Sequence, residues 1–153
     1  MLTQRLACLG AEETIRAIAL IDSGEAVFTP QDESLATVAP KLSKVLAEVN
    51  WADSASKIGC HIRAMNPWPV AWTVWQGQVM KVWAAQPVEA LSAQPGKPGS
   101  VVASSGGKLI VATGEGLISL DQVQLPGKRK ITAREFLSGY SVSVGELFGA
   151  ENR

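Results

Sequence analysis

Few residues in this chain could carry a reaction. His61 is the only histidine among 153 residues, and it follows Cys60 inside a run with helical spacing. A zinc site needs three or four ligands, and a Ser-His-Asp relay needs its members ordered around one imidazole. No second histidine completes the first, and the sequence shows no obvious order for the second, so His61 is read as structural or surface. Cys8 and Cys60 lie far apart with no metal-ligand spacing. They are expected to be free thiols in a reducing compartment, buried as small hydrophobes. The carboxylates fall mostly in acidic ends or turns, where solvent keeps them ordinary, so a general acid/base pair is not expected. The glycine-rich stretches Pro95-Gly96-Lys97-Pro98-Gly99, Ser105-Gly106-Gly107 and Thr113-Gly114-Glu115-Gly116 do not open helices with phosphate-loop spacing. Hairpin turns account for them better. The sequence therefore predicts no catalytic residue and no metal site.

Binding chemistry is better represented. Lys128-Arg129-Lys130 follows Leu125-Pro126-Gly127, and three adjacent cations repel one another and resist burial. They need solvent or an anion, and a phosphate backbone is one such anion. Lys41 and Lys44 could extend the same face, and Arg63 and Lys108 complete the candidate set. Trp68, Trp72, Trp75 and Trp83 lie within sixteen positions. On a strand, Trp72 and Trp75 fall on opposite faces, which sends at least one into the core and leaves another free to stack on a base. Packing of all four in the barrel or against the helix at 54–64 is the favoured reading, because tryptophans carry large buried areas. The net charge is zero but uneven: residues 1–40 carry two basic against six acidic residues, a net of −4, and residues 41–134 carry eleven against five, a net of +6. A basic centre between acidic ends points toward a polyanionic partner.

These residues need elements to position them. Leu2, Leu6 and Leu9 have helical spacing before Gly10, and Ile15, Ile18 and Ala19 mark a second short helix that stops near Ser23-Gly24. Residues 25–40, with Pro30 and several acids, read as a linker. The two helices have too little partner sequence to bury an apolar face, and they read as the tail of a domain lying outside the chain. A helix is predicted over 54–64, capped by Asp53 or Ser54, with Ile58, Ile62 and Met65 facing the core and Asn66-Pro67-Trp68-Pro69 ending it. Five short strands follow, at 70–75, 78–84, 100–103, 108–112 and 117–125, and a last helix at 133–139. The fold class is α+β: short N-terminal helices and a linker, then a small barrel of the five-stranded oligonucleotide-binding (OB) type with flanking helices. The domains are 1–24, a linker at 25–40, a barrel domain at 41–145, and a tail at 146–153. No apolar run is long enough to span a bilayer and the start lacks a signal peptide, so the expected location is cytoplasmic.

Five runs carry a family likeness: Ile62-Arg63-Ala64-Met65-Asn66-Pro67-Trp68-Pro69, Val79-Met80-Lys81-Val82-Trp83-Ala84, Pro98-Gly99-Ser100-Val101-Val102, Val111-Ala112-Thr113-Gly114-Glu115-Gly116, and Leu125-Pro126-Gly127-Lys128-Arg129-Lys130-Ile131-Thr132-Ala133-Arg134-Glu135-Phe136-Leu137-Ser138-Gly139-Tyr140. In this order they resemble the C-terminal domain of the methionyl-tRNA formyltransferase family. Upstream, Asp32-Glu33 and Lys41-Leu42-Ser43-Lys44 through Val49-Asn50-Trp51 resemble that family's interdomain connection, and the helices before them resemble the end of its catalytic domain. Other formyltetrahydrofolate-using enzymes share a related domain. The basic tract followed by Ala-x-x-Phe-Leu favours the tRNA enzyme. Val45 and Asn50 depart from the acidic residues usual at those places, which bears on linker packing.

The resemblance implies a family that transfers a formyl group from 10-formyltetrahydrofolate to methionyl-initiator-tRNA in translation initiation. It places the catalytic Asn, His and Asp set and the folate loop in an N-terminal domain, none of whose site is in this chain. His61 lies in the wrong half to be the catalytic histidine. The implied role is to hold initiator methionyl-tRNA on a basic face drawn from Lys41, Lys44, Arg63, Lys108, Lys128, Arg129 and Lys130, with no cofactor bound here and a separate N-terminal half as possible catalytic partner. Two other expectations stand beside it: the C-terminal domain of another formyltetrahydrofolate-using enzyme, or a non-functional remnant of a disrupted gene.

Overall fold

The computed structural model describes residues 2–88 and 96–149. The chain divides into two compact units, Met1–Pro40 and Lys41–Arg153.

In the first unit, α1 (Leu2–Ser23) is one helix of 22 residues with none buried. This corrects the expectation of two short helices. Gly10 does not cap; it sits in mid-helix, and its carbonyl accepts from Thr14 Oγ1 at 2.6 Å. A glycine there costs about 1 kcal/mol relative to alanine, and the strong helix formers Ala7, Ala11, Glu12 and Glu13 around it carry the turn through. The stop comes at Gly24, whose φ of 74° supplies the left-handed residue. The amide of Gly24 donates to Ile21 O and that of Glu25 to Leu20 O, the paired bonds of a Schellman cap. Leu2, Leu6, Leu9, Ile15, Ile18 and Ile21 are all exposed.

The second unit is built on a six-stranded antiparallel sheet. Its strands are β1 (Trp72–Trp75), β2 (Gln78–Val88), β3 (Val101–Ser105), β4 (Lys108–Ala112), β5 (Leu117–Gln124) and β6 (Ile131–Thr132), in the order β1-β2-β5-β4-β3 with β6 on β5. Consecutive strands β3-β4-β5 form a meander, and β2 lies beside β5 across a long connection, a Greek-key arrangement. The five expected strands are present. β2 runs on to Val88 because β5 pairs with it as far as Leu117, and β6 was too short to stand out in sequence. Met80, Val82, Leu109, Val111, Ile118, Leu120 and Val123 form the interior.

Two helices cover this interior. In α2 (Ala55–Ala64), the Ser54 side chain accepts from the Lys57 amide, and Ile58 and Ile62 turn inward. α3 (Ala133–Gly139) inserts Phe136, which is fully buried. Phe136 packs edge-on against Trp75, with ring centroids 4.9 Å apart, and stacks on Tyr140 at 5.0 Å.

Residues 146–149, expected as tail, bond to the edge of the sheet. Gly145 N donates to Val101 O, Val101 N to Glu146 O, Phe148 N to Gly99 O and Gly149 N to Val74 O, each at 2.8–2.9 Å. The segment thereby pairs with the outer edge of β3 and touches β1 at Val74, beside the Glu48–Trp72 bridge that covers the rest of that edge. Gly99 permits the approach: its φ is +88°, and a Cβ there would lie 2.6 Å from Phe148 O. Phe148 is buried beside Trp51, with ring centroids 6.0 Å apart. Both cysteines are exposed, against the expectation of burial. Cys60 lies on the side of α2 away from Ile58 and Ile62, and Cys8 on a helix that buries nothing. Among the described residues, no helix is long and apolar enough to cross a membrane.

If the 145–149 segment seals the barrel, Phe148→Ala lowers the unfolding free energy by about 3 kcal/mol, the usual cost of emptying an aromatic core site. Urea denaturation followed by tryptophan fluorescence measures it, and a loss below about 1 kcal/mol would contradict the role given to this segment.

Candidate nucleic-acid interface

The strand register assembles a face on the outside of β1, β2 and β5. Trp72 is opposite Lys81, and Lys81 is opposite Gln124. Directly opposed residues share a face of the sheet, and because Met80 and Val82 point into the core, Lys81 must point out. Trp83, next in the same direction, is half-buried. It sits within a register irregularity between Val82 and Ala84, which continues to Ala85 and turns the rest of β2 relative to its partner.

The two half-buried tryptophans are fixed by their N–H groups. Trp72 Nε1 donates to Lys44 O at 2.7 Å, which brings Lys44 to this face. Trp83 Nε1 donates to Gln124 Oε1 at 2.9 Å, and its carbonyl accepts from Asn66 Nδ2 at 2.8 Å, tying α2 to β2. Gln124 also donates from Nε2 to Lys128 O at 2.8 Å. One amide thus joins the tryptophan to the basic tract. Leu125-Pro126-Gly127-Lys128 is a turn closed by Lys128 N to Leu125 O at 3.1 Å, and Lys81 lines the same small cleft as Pro126 and Gly127. Lys130 Nζ lies 5.0 Å from the centroid of the Trp83 ring, a cation–π contact.

The sequence-predicted cations therefore separate. The backbone carbonyls of Lys44 and Lys128 are held by Trp72 and Gln124, and the Lys130 ammonium lies over Trp83. Arg129 is engaged elsewhere, 2.7 Å from Glu135 Oε1. Arg63, on α2, places Nη2 3.1 Å from Cys60 Sγ. Lys108 stands at the β3–β4 turn and lines a different cleft with Arg134. Lys41 is exposed at the start of the unit, with no side-chain partner among the described residues. Sequence reasoning missed Lys81 and Gln124. The alternation around Met80 and Val82 marked Lys81 as outward, but only pairing shows what it stands beside.

Of the other tryptophans, Trp51 and Trp75 are buried and Trp68 is 56% exposed. Trp51 Nε1 donates to Thr73 Oγ1 at 3.0 Å inside the core. His61 is half-buried, and its Nε2 has no hydrogen-bond partner. Among the described residues no three His, Cys, Asp or Glu side chains are grouped to hold a metal ion.

The start of α3 anchors the tract. Thr132 Oγ1 accepts from the Glu135 amide while Glu135 Oε2 accepts from the Thr132 amide, a reciprocal capping box. The Thr132 N–H, then Arg129, then the Thr132 hydroxyl hold the Glu135 carboxyl down at about 2. A folded-state value depressed below the ordinary 4.5 contributes stability that is full above 4.5 and lost as pH falls through about 2. Removing the cap with Thr132→Ala should cost about 1 kcal/mol at neutral pH. Glu135→Gln should flatten the decline in stability between pH 4.5 and 2. Denaturation at stepped pH reads both, and an unchanged pH profile in Glu135→Gln would contradict the assignment.

The sequence matches the family described as formyl transferase, C-terminal domain, over residues 41–141. The methionyl-tRNA formyltransferase of Dictyoglomus thermophilum is 36% identical over 148 residues, which cover 96% of this chain and 47% of that protein. That of Methylobacillus flagellatus is 37% identical over 146 residues, covering 95% and 46%. The chain spans about half the length of these curated relatives, matching their C-terminal part. Among solved structures, HypX from Aquifex aeolicus in complex with tetrahydrofolic acid superposes with a TM-score of 0.57 at 25% identity, over 82% of this chain and 22% of that one. A variant of the same protein gives 0.61 at 25% identity, over 88% and 24%.

Proposed function

The chain belongs to the formyl transferase C-terminal domain family, and from that premise we propose that it is the tRNA-holding portion of a methionyl-tRNA formyltransferase. Its ligand is initiator methionyl-tRNA, in the cytoplasmic setting of translation initiation. Formyl transfer from 10-formyltetrahydrofolate belongs to the other half of such an enzyme, and this chain supplies no catalytic residue.

One observation carries the reading. Lys81 and Lys130 stand beside the half-buried rings of Trp72 and Trp83, the main chain of Lys44 and Lys128 is bonded to Trp72 and Gln124 next to them, and no carboxylate pairs with these four among the described residues. Unpaired cations at this density suit a phosphate backbone, and the rings offer stacking surface for an unpaired base. Arg129, neutralised by Glu135, belongs to the scaffold of that face, and Arg63 and Lys108 lie outside it. The higher identity to the methionyl-tRNA formyltransferases, 36% against 25% to HypX, supports tRNA as the ligand.

Initiator tRNA binding across a salt series tests the interface. Affinity should fall linearly on a log–log plot, and Lys81→Ala, Lys128→Ala and Lys130→Ala should each reduce the slope by about one, with Arg63→Ala leaving it unchanged. Salt-independent binding, or none, would overturn the proposal and leave the chain a folded remnant.

The exposed leucines and isoleucines of α1 fit an apolar partner surface, and the half of each relative that this chain does not match is the partner we assign to it. The N-terminal half of the Dictyoglomus thermophilum relative, added to this chain, should co-elute with it and be lost to a Leu6→Asp/Ile18→Asp variant. Absence of association with the parent chain would refute this assignment.

A further inference from the structure

Beyond the tryptophans, the outer face of the sheet continues over the later half of β2, the earlier half of β5, and β4 and β3. Gln86 is opposite Ser119, Ser119 opposite Ile110, and Ile110 opposite Ala103, in one row. A cleft of about 630 Å3 opens over that row, with residues 132–134 at one side. Its lining is divided in character. Val88 and Ala103, half-buried, give it an apolar floor over Ile110, which is itself buried. Lys108 and Arg134 line it as well, and neither side chain has a hydrogen-bond or ion-pair partner among the described residues. Arg134 is positioned by packing over the β3–β4 turn: a Cβ on Gly107 would lie 2.9 Å from its Nε. Asp121 also lines the cleft. Its Oδ1 accepts from Ser119 Oγ at 2.9 Å, and it forms no ion pair with either cation.

Two unpaired cations and a separate carboxylate around an apolar floor select a ligand with three parts. A simple anion would satisfy the cations but would face Asp121 and leave the floor uncovered. A cation would do the reverse. A molecule with an anionic end, a flat apolar body and a hydrogen-bond donor at the far edge meets all three. We propose that this cleft binds a nucleoside monophosphate unit, with its phosphate on Lys108 and Arg134, its base over Val88 and Ala103, and an exocyclic amino group donating to Asp121. A volume of this size is within the range of ligand-binding clefts. The same chemistry is presented by a free nucleotide and by an unpaired residue of an RNA strand. The site is distinct from the tryptophan face and does not depend on it.

The test is titration of the full chain with AMP, UMP and inorganic phosphate, followed by amide resonances. AMP should perturb Gln86, Ser119 and Ile110, and bind at least tenfold more tightly than UMP or phosphate. Arg134→Ala and Lys108→Ala should each weaken AMP at least tenfold, with Arg134→Lys restoring part of the affinity. Asp121→Asn should narrow the gap between AMP and UMP. The amide spectrum of each variant shows whether it has folded, and Arg134→Lys keeps the test decisive if Arg134→Ala has not. Oligoadenylate binding no better than AMP assigns the cleft to a free nucleotide, and tighter binding that Arg134→Ala removes assigns it to RNA. No response to AMP at millimolar concentration, equal responses to AMP and phosphate, or perturbations confined to Lys81 and Lys128 would overturn the proposal. None of those results bears on tRNA binding by the tryptophan face, whose failure is read separately in the salt series.

Discussion

Closure of the sheet is the constraint on which the rest of the second unit depends. A small antiparallel sheet ending in β1 on one side and β3 on the other has two rows of unpaired amides and carbonyls, which are costly to bury and prone to foreign pairing when exposed. Residues 145–149 line the edge of β3 and reach β1 through one bond, Gly149 N to Val74 O, while Val49 N meets Trp72 O on the same edge of β1, and the segment delivers Phe148 to the interior. The start of the unit is fastened to the same end. Trp51 packs against Phe148 and donates to Thr73, and the Gly114 amide donates to the carbonyls of Trp51 and Asp53. A Cβ at Gly114 would collide with Ala52 O, so the close contact of these two loops needs glycine. Closure also sets where α2 begins, since the Ala55 amide donates to Glu115 O at 2.8 Å.

Once the sheet is closed, β5 has an inside and an outside over its whole length. Ile118, Leu120 and Val123 are fully buried, while Ser119 and Asp121 line the large cleft and Gln124 faces the tryptophans. One strand therefore supports two polar surfaces. The irregularities between Val82 and Ala85 separate them, turning β2 so that Lys81 and Trp83 belong to one surface and Gln86 to the other. The cations on these surfaces contribute little to folding, since exposed charges without partners gain little in water. Their arrangement is instead a matter of binding. The capping box of α3 connects the two surfaces in sequence, with Lys130 just before it and Arg134 within it.

Legibility in the sequence followed the range of the interactions. α2 was readable because Ser54 caps a run with Ile58 and Ile62 on one side, and α3 was placed at 133–139, although the capping box of Thr132 and Glu135, three apart, was not singled out. The hairpins were readable from Gln76-Gly77 and Gly106-Gly107. Gly10 misled because a glycine is a stop signal only when the residues after it cannot continue the helix, and here they can. The cysteines misled because their expected burial was drawn from residue type, whereas position on the helix decided it. Strand register, the short β6 and closure by residues 145–149 depend on pairings between distant segments, which no local pattern encodes. For that reason the basic tract was visible in the sequence, but Lys81 and Gln124 beside it were not, and Lys108 was grouped with cations from which the fold separates it.

The most direct test is photo-crosslinking of initiator tRNA carrying 4-thiouridine to the full chain, with the attached residues mapped by mass spectrometry. The account predicts crosslinks at Trp72, Lys81, Lys128 and Lys130. Crosslinks confined to α2 around Arg63 or to residues 2–40, with none on the face of β1, β2 and β5, would contradict it.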